Sequence, residues 1–176
     1  TLNHISGGDI ELEFEVDDPN REIDLGGIQC FQNLTSLSLI GHSFKDISEI
    51  SALRNIQSIQ LISTSVVSID SFKNLSKINS LVISDTKTLQ SVEGVGEMTK
   101  LTDLDLSDNG LVNIGELNDL VHLKHLYLND NEIVVFPNIN QLHELETMDI
   151  SHNNIVKLGD DLSGLSNLLH LNASHN

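Results

Sequence analysis

The chain has little of what a conventional core or a chemical site is built from. There is no Trp, one Tyr and five Phe among 176 residues, so a core must come from Leu, Ile and Val. Cys30 is the only cysteine, which excludes an intrachain disulfide and a cysteine metal cluster. Lys and Arg number 9 against 26 Asp and Glu, a formal net charge of −17. Such a chain repels phosphates and anionic headgroups, so no nucleic-acid partner is expected, and a protein partner with a basic or mixed surface is favoured. No apolar run approaches the ~18 residues of a membrane span, so no direct membrane insertion is expected. The opening residues carry no apolar stretch of signal-peptide type. Motifs of acyl, phosphoryl or zinc chemistry (GxSxG, a P-loop, HExxH) are also missing, so no catalytic residue, cofactor or resident metal is expected.

What is present is a period. In Leu101 to His122, LTDLDLSDNGLVNIGELNDLVH, Leu104 and Leu106 alternate as in a short half-buried strand, whereas Leu111, Ile114, Leu117 and Leu120 recur every three residues. No single amphipathic helix carries that switch, and such a unit cannot bury its apolar face without a copy on each side. Copies begin at Leu34, Ile56, Ile78, Leu101, Leu123, Leu145 and Leu168, which gives successive lengths of 22, 22, 23, 22, 22 and 23 residues. The chain therefore divides into a half repeat at 23–33, six full repeats at 34–167 and a truncated repeat at 168–176.

Residues 1–22 do not fit the period. Ile10 to Val16 alternate, with Leu12, Phe14 and Val16 on one side and Glu11, Glu13 and Glu15 on the other, and Asp17 to Asn20 form a turn cluster. This segment reads as an N-terminal cap with one amphipathic strand, whose charged outer side discourages edge pairing. At the other end Leu168 and Leu171 would lie uncovered. That predicts a neighbouring chain, further sequence or self-association at this edge.

The pattern LxxLxLxxNxLxxLxxLxxLxx resembles the leucine-rich repeat family across roughly residues 23–176, in its short subclass of ~22 residues. That subclass is shared by bacterial internalins and by phosphatase regulators of the SDS22 type. The resemblance implies an α/β-type repeat solenoid, a leucine-rich repeat horseshoe with a parallel concave β-sheet and 3₁₀ or irregular turns on the convex side. It also implies a structural Asn ladder at Asn109, Asn131, Asn153 and Asn176, replaced earlier by His42, Thr64 and Thr86. Because Thr offers fewer hydrogen bonds than Asn, looser turns are expected in the first three repeats, with the extra residue near Lys87 to Leu89 bulging outward.

Equivalent positions of stacked strands form columns across the concave face. One runs Ser36, Ser58, Ser80, Asp103, His125, Thr147, His170, and the next Ser38, Gln60, Val82, Asp105, Tyr127, Asp149, Asn172. A third runs Ile40, Ile62, Ser84, Ser107, Asn129, Ser151, Ser174, and a last one Gly41, Ser63, Asp85, Asp108, Asp130, His152, His175. The face is bland in repeats one to three and acidic, with His and the only Tyr, from repeat four. Asp103, Asp105, His125, Tyr127, Asp149 and His170 are accordingly the expected partner-binding residues, since an aromatic anchor often dominates an interface. His152 and His175 one strand apart suggest a divalent ion, but Ser-Asp-Asn and Ser-His-Asn are ordinary fillings of that corner. Asp103 and Asp105 share a face, yet an open sheet does not enclose them for acid–base work. The three sequons at Asn33, Asn74 and Asn172 arise from the repeat itself.

The expected function is non-enzymatic recognition of another protein on the concave face. Under the internalin resemblance this is a bacterial surface or secreted protein, a version the Asp-Pro-Asn segment at 18–20 favours because similar segments open many bacterial repeat domains. The alternatives are a cytoplasmic scaffold or phosphatase-regulator-like subunit, or the substrate-binding part of a larger enzyme.

Overall fold

A computed structural model of the chain describes residues 10–11, 22–115, 117–159 and 162–176. In chain order the strands are β1 (Ile10–Glu11), β2 (Ile23–Asp24), β3 (Ser36–Ile40), β4 (Phe44–Asp46), β5 (Ser58–Ile62), β6 (Ser80–Ser84), β7 (Asp103–Asp105), β8 (His125–Tyr127), β9 (Thr147–Asp149) and β10 (His170–Asn172). Among the described residues four 3₁₀ helices accompany them: η1 (Ile28–Cys30), η2 (Ser48–Ala52), η3 (Asp70–Asn74) and η4 (Val95–Glu97). Eight strands form one parallel sheet in the order β1-β3-β5-β6-β7-β8-β9-β10. Parallel neighbours cannot be joined by a hairpin, so every step needs a return segment. The rear half of each repeat supplies it.

The sheet is held by a bond that recurs at every strand entry. The carbonyl of Thr35 accepts from the amides of Gln57 and Ser58, and Gln57, Asn79, Thr102, Lys124 and Glu146 do the same for the repeat that follows each. Inward positions then alternate into the core: Leu37 and Leu39, Ile59 and Leu61, Leu81 and Ile83, Leu104 and Leu106, Leu126 and Leu128, Met148 and Ile150 are all buried. The return segments add Ile50, Phe72, Val95, Leu117 and Ile139 from the opposite wall. Each fully buried side chain of this size contributes about 2 kcal/mol, so the core is one continuous column rather than a series of separate centres.

At the N-terminal end β1 pairs with β3, Ile10 in register with Leu37 and Glu11 with Ser38. The rest of the expected capping strand, Leu12 to Val16, and the turn at Asp17 to Asn20 lie outside the described residues. β2 pairs in parallel with β4, and an isolated parallel bridge joins Ser68 and Ser91, neither of which the three-residue spacing announced.

The first three full repeats are not loosened by the loss of Asn; their strands β3, β5 and β6 run five residues, against three for β7 to β10. The physical reason lies in who takes the carbonyls at the strand exit. In the later repeats the side-chain amide does: Asn131 Nδ2 donates to Leu106 O (2.9 Å) and Leu128 O (3.1 Å) while its Oδ1 accepts from Leu111 N (3.1 Å). Asn109, Asn153 and Asn176 repeat this arrangement, each reaching back into the preceding repeat. In the earlier repeats register pairing continues through Ile40, Ile62 and Ser84, whereas the corner amide bond is common to both halves: Gly41 N and Ser63 N donate to Ile62 O and Ser84 O as Asp108 N and Asp130 N donate to Asn129 O and Ser151 O. Thr64 and Thr86 are buried and joined Oγ1 to Oγ1 at 3.2 Å, and Ser65 Oγ accepts from Phe44 N at 3.2 Å, a task that Asn performs further along. The extra residue of repeat three is accommodated as the spacing suggests, with Lys87 and Thr88 exposed and Leu89 buried. The 3₁₀ helices η1 to η4 belong to the half repeat and repeats one to three. Beyond them the described return segments are irregular turns.

Two expectations on stability follow from these contacts. Asn131→Ala removes the acceptor of the buried Leu111 amide, while Leu106 O and Leu128 O keep bonds from Asn109 and Asn153, and should lower unfolding free energy by about 1–3 kcal/mol in a urea titration, with Asn131→Thr falling between it and the wild type. A Cβ at Gly164 would stand 1.7 Å from the carbonyl oxygen of Asn140, whereas one at Gly110 meets nothing within 4 Å. Gly164→Ala should therefore cost about 1–3 kcal/mol and Gly110→Ala little, read from the same midpoints.

Candidate functional site on the concave face

Strand register builds the site. Ser80, Asp103, His125, Thr147 and His170 are successive partners across β6 to β10, and beside them run Val82, Asp105, Tyr127, Asp149 and Asn172. Neighbouring strands are ~4.8 Å apart, so Tyr127 stands between the carboxylates of Asp105 and Asp149, one strand from each. Leu104, Leu126 and Met148 point into the core from between the two columns. The outward side chains therefore sit on a backbone that cannot slip without exposing a leucine.

The carboxylates are held in place. Asp105 Oδ1 accepts from Ser107 N at 2.9 Å, and Asp149 Oδ1 from Ser151 N at 3.0 Å and Ser151 Oγ at 2.6 Å. Asp149 Oδ2 also accepts from Asn172 Nδ2 at 3.0 Å. In the first column Asp103 Oδ2 accepts from Thr102 Oγ1 at 2.6 Å, and Asp103 Oδ1 lies 3.9 Å from His125 Nε2. The other ring nitrogen of His125 is buried with no partner. Tyr127 is 36% exposed, and His170 lies in the open on β10. The six residues singled out from the sequence thus occupy one continuous area of the sheet, with Leu169 and Leu171 exposed at its β10 edge.

The last column has a backbone explanation. Ser63, Asp85, Asp108, Asp130, His152 and His175 all have φ between 50° and 57°, and Gly41 has φ 75°. This is the left-handed corner where the chain leaves the sheet, a conformation tolerated by short polar residues and disfavoured for β-branched ones. The His152 and His175 rings are stacked, centroids 4.3 Å apart and planes 19° from parallel. Among the described residues no group of three or more His, Cys, Asp or Glu is arranged to hold a metal ion. Sequence reading passed over Lys87, although its inserted position was in view. Its ammonium reaches across the corner to Asp108 and lies 3.8 Å from Asp85 Oδ1. That bond to Asp108 raises the Lys87 pKa above the ordinary ammonium value against a small opposing effect of burial.

On the convex side Ser91, Glu93, Gly94, Glu97, Asn113 and Asp119 line a cleft of ≈ 660 Å³, where η4 ends and the irregular return of repeat four begins. No helix among the described residues is long and apolar enough to cross a membrane.

No protein-family model matches the chain, and no curated protein matches it in sequence. Solved structures do. An internalin from Listeria monocytogenes superposes with a TM-score of 0.68 at 23% identity, over 82% of this chain and 49% of its own. Internalin C2 from the same species gives 0.69 at 21% identity, over 87% and 76%. A leucine-rich repeat protein from Leptospira interrogans gives 0.75 at 22% identity, over 89% and 43%. The chain spans about half the length of the first of these. The fold is therefore the leucine-rich repeat solenoid, with internalins among its structural neighbours.

One group on this face has a resolved acid response. Burial alone would raise the Asp149 carboxyl, but its bonds from Ser151 and Asn172 and the charge of His152 outweigh it, leaving the pKa below the ordinary value of 3.8. A folded pKa below the unfolded one adds stability that is present above the unfolded value and lost as pH falls through the folded one. Asp149→Asn should accordingly unfold at lower urea than wild type at pH 7. The gap should close as pH falls below the ordinary carboxylate range.

Proposed function

We propose that this leucine-rich repeat solenoid is a non-enzymatic recognition module that binds another protein on the C-terminal half of its concave face, as a bacterial surface or secreted protein. The observation that carries the reading is the juxtaposition of Asp105, Tyr127 and Asp149 on three consecutive strands. Their backbone is fixed by core leucines, so little ordering entropy remains to oppose association. The only Tyr of the chain lies at the centre, where an aromatic side chain gives most to an interface. Asp103, His125 and His170 form the adjoining column and complete the contact area. An open sheet of this kind holds and orients but does not enclose a reacting group, which supports binding over catalysis. Internalin neighbours from Listeria monocytogenes support the surface or secreted assignment.

The test replaces Asp105→Asn, Tyr127→Ala and Asp149→Asn together and measures capture of candidate surface proteins from cell extracts. A parallel variant, Ile40→Ser with Ile62→Ser, probes the N-terminal half of the face. Loss of capture in the first variant alone is expected. Undiminished capture there, or loss in the second alone, would move the contact surface away from repeats four to seven.

A further inference from the structure

At the rim of the concave face the described residues contain an internal example of carboxylates from successive repeats taking a cation. Lys87 projects from the inserted turn of repeat three, and its ammonium lies between Asp85 and Asp108, which occupy equivalent corners of successive repeats. Further along, among the described residues no Lys or Arg forms an ion pair with Asp105, Asp130 or Asp149. Asp105 and Asp149 lie on the concave strands rather than at the corner, and two strands apart rather than one. The strand between them carries Tyr127 at the equivalent position, so the gap holds a partly exposed aromatic side chain.

Such a gap discriminates between cations. An ammonium is a compact, strongly hydrated point charge, whereas a guanidinium is planar, weakly hydrated and stacks on aromatic faces. Its fork also offers donors in the plane of the group, directed outward as the two flanking carboxylates require. The carboxylates are already oriented by Ser107, Ser151 and Asn172, so binding does not have to order them. The rest of the molecule reinforces the preference, because a net charge of −17 draws a basic segment towards the protein and repels an acidic one.

Building on the recognition reading above, we propose that the concave face takes an arginine-bearing, net-basic segment of its partner protein, with one guanidinium lying on the Tyr127 ring between Asp105 and Asp149. The partner strand or loop crosses the columns, so that neighbouring basic side chains reach Asp103 and Asp130.

The test uses the intact chain and labelled eight-residue peptides of alternating Ser and Arg, Ser and Lys, or Ser and citrulline, followed by fluorescence anisotropy. The arginine peptide should bind tightest and the uncharged citrulline peptide should not bind. Tyr127→Ala should weaken the arginine peptide by about tenfold, Tyr127→Phe should leave it nearly unchanged because the ring is retained, and Asp105→Asn should weaken it as well. Glu93→Gln with Glu97→Gln, in the convex cleft, should have no effect. The assignment is overturned if Tyr127→Ala binds as wild type, if the convex variant weakens binding as much as Asp105→Asn, or if the arginine peptide fails to bind at about 1 mM. Should that happen while the triple substitution still abolishes partner capture, recognition on this face stands and only the arginine assignment falls. If capture also survives the triple substitution, the site itself is wrong.

Discussion

A 22-residue turn with two inward strand residues and four inward residues on its return cannot cover its own apolar side. Everything else in the structure depends on that incompleteness. Leu104 and Leu106 are buried only because Leu81 and Ile83 lie on one side and Leu126 and Leu128 on the other. The stacking distance is then set by backbone pairing at ~4.8 Å, and every turn must bring the chain back to the same height and register. Carbonyls at the strand exits face inward at that point, and they need partners inside the stack.

The chain solves this requirement in two ways and changes from one to the other at repeat four. With Thr64 and Thr86, backbone pairing runs on for five residues, hydroxyls bond to one another, and a 3₁₀ helix closes the return. With Asn109 and its successors, the amide bonds two exit carbonyls at once, the strand ends after three residues, and irregular turns close the return. A single Thr hydroxyl cannot reach two carbonyls and an amide, so the longer strand is the compensation rather than a separate feature. The two halves are thus different packings of one repeat. The acidic inner face coincides with the Asn half.

Strand positions, inward residues and the columns of the outer face were legible from leucine spacing, because a period-two run against a buried wall permits only one register. What the spacing did not reveal has physical reasons. Thr64 and Thr86 suggested weakness when each was viewed as one residue with few bonds, whereas their neighbours Ser65 and Asn109 supply the missing partners from the next repeat. The Asp and His content of the corner column suggested a divalent ion, which was set against the ordinary filling of that corner. Its common positive φ shows that backbone conformation already restricts the choice there to such residues. Lys87 was visible as an insertion, but its reach to Asp85 and Asp108 depends on the direction in which the inserted turn projects, and spacing alone does not encode that.

The same stacking that makes the columns also makes them electrostatically tense. Two like charges one strand apart repel by about 1 kcal/mol even at the dielectric constant of water, and the Asn half places Asp108 beside Asp130, with Asp103 and Asp105 two residues apart on one strand. The core does not need these charges, since outward residues take no part in burying leucine. Local bonds hold the carboxylates without neutralising them: Ser107 and Ser151 donate to Asp105 and Asp149 but bring no positive charge. Among the described residues it is at the boundary, where Lys87 enters, that an ammonium comes between two carboxylates. A face whose repulsion is preserved by its own hydrogen bonds, on a backbone too tightly registered to move away, gains most from a cation brought by another molecule.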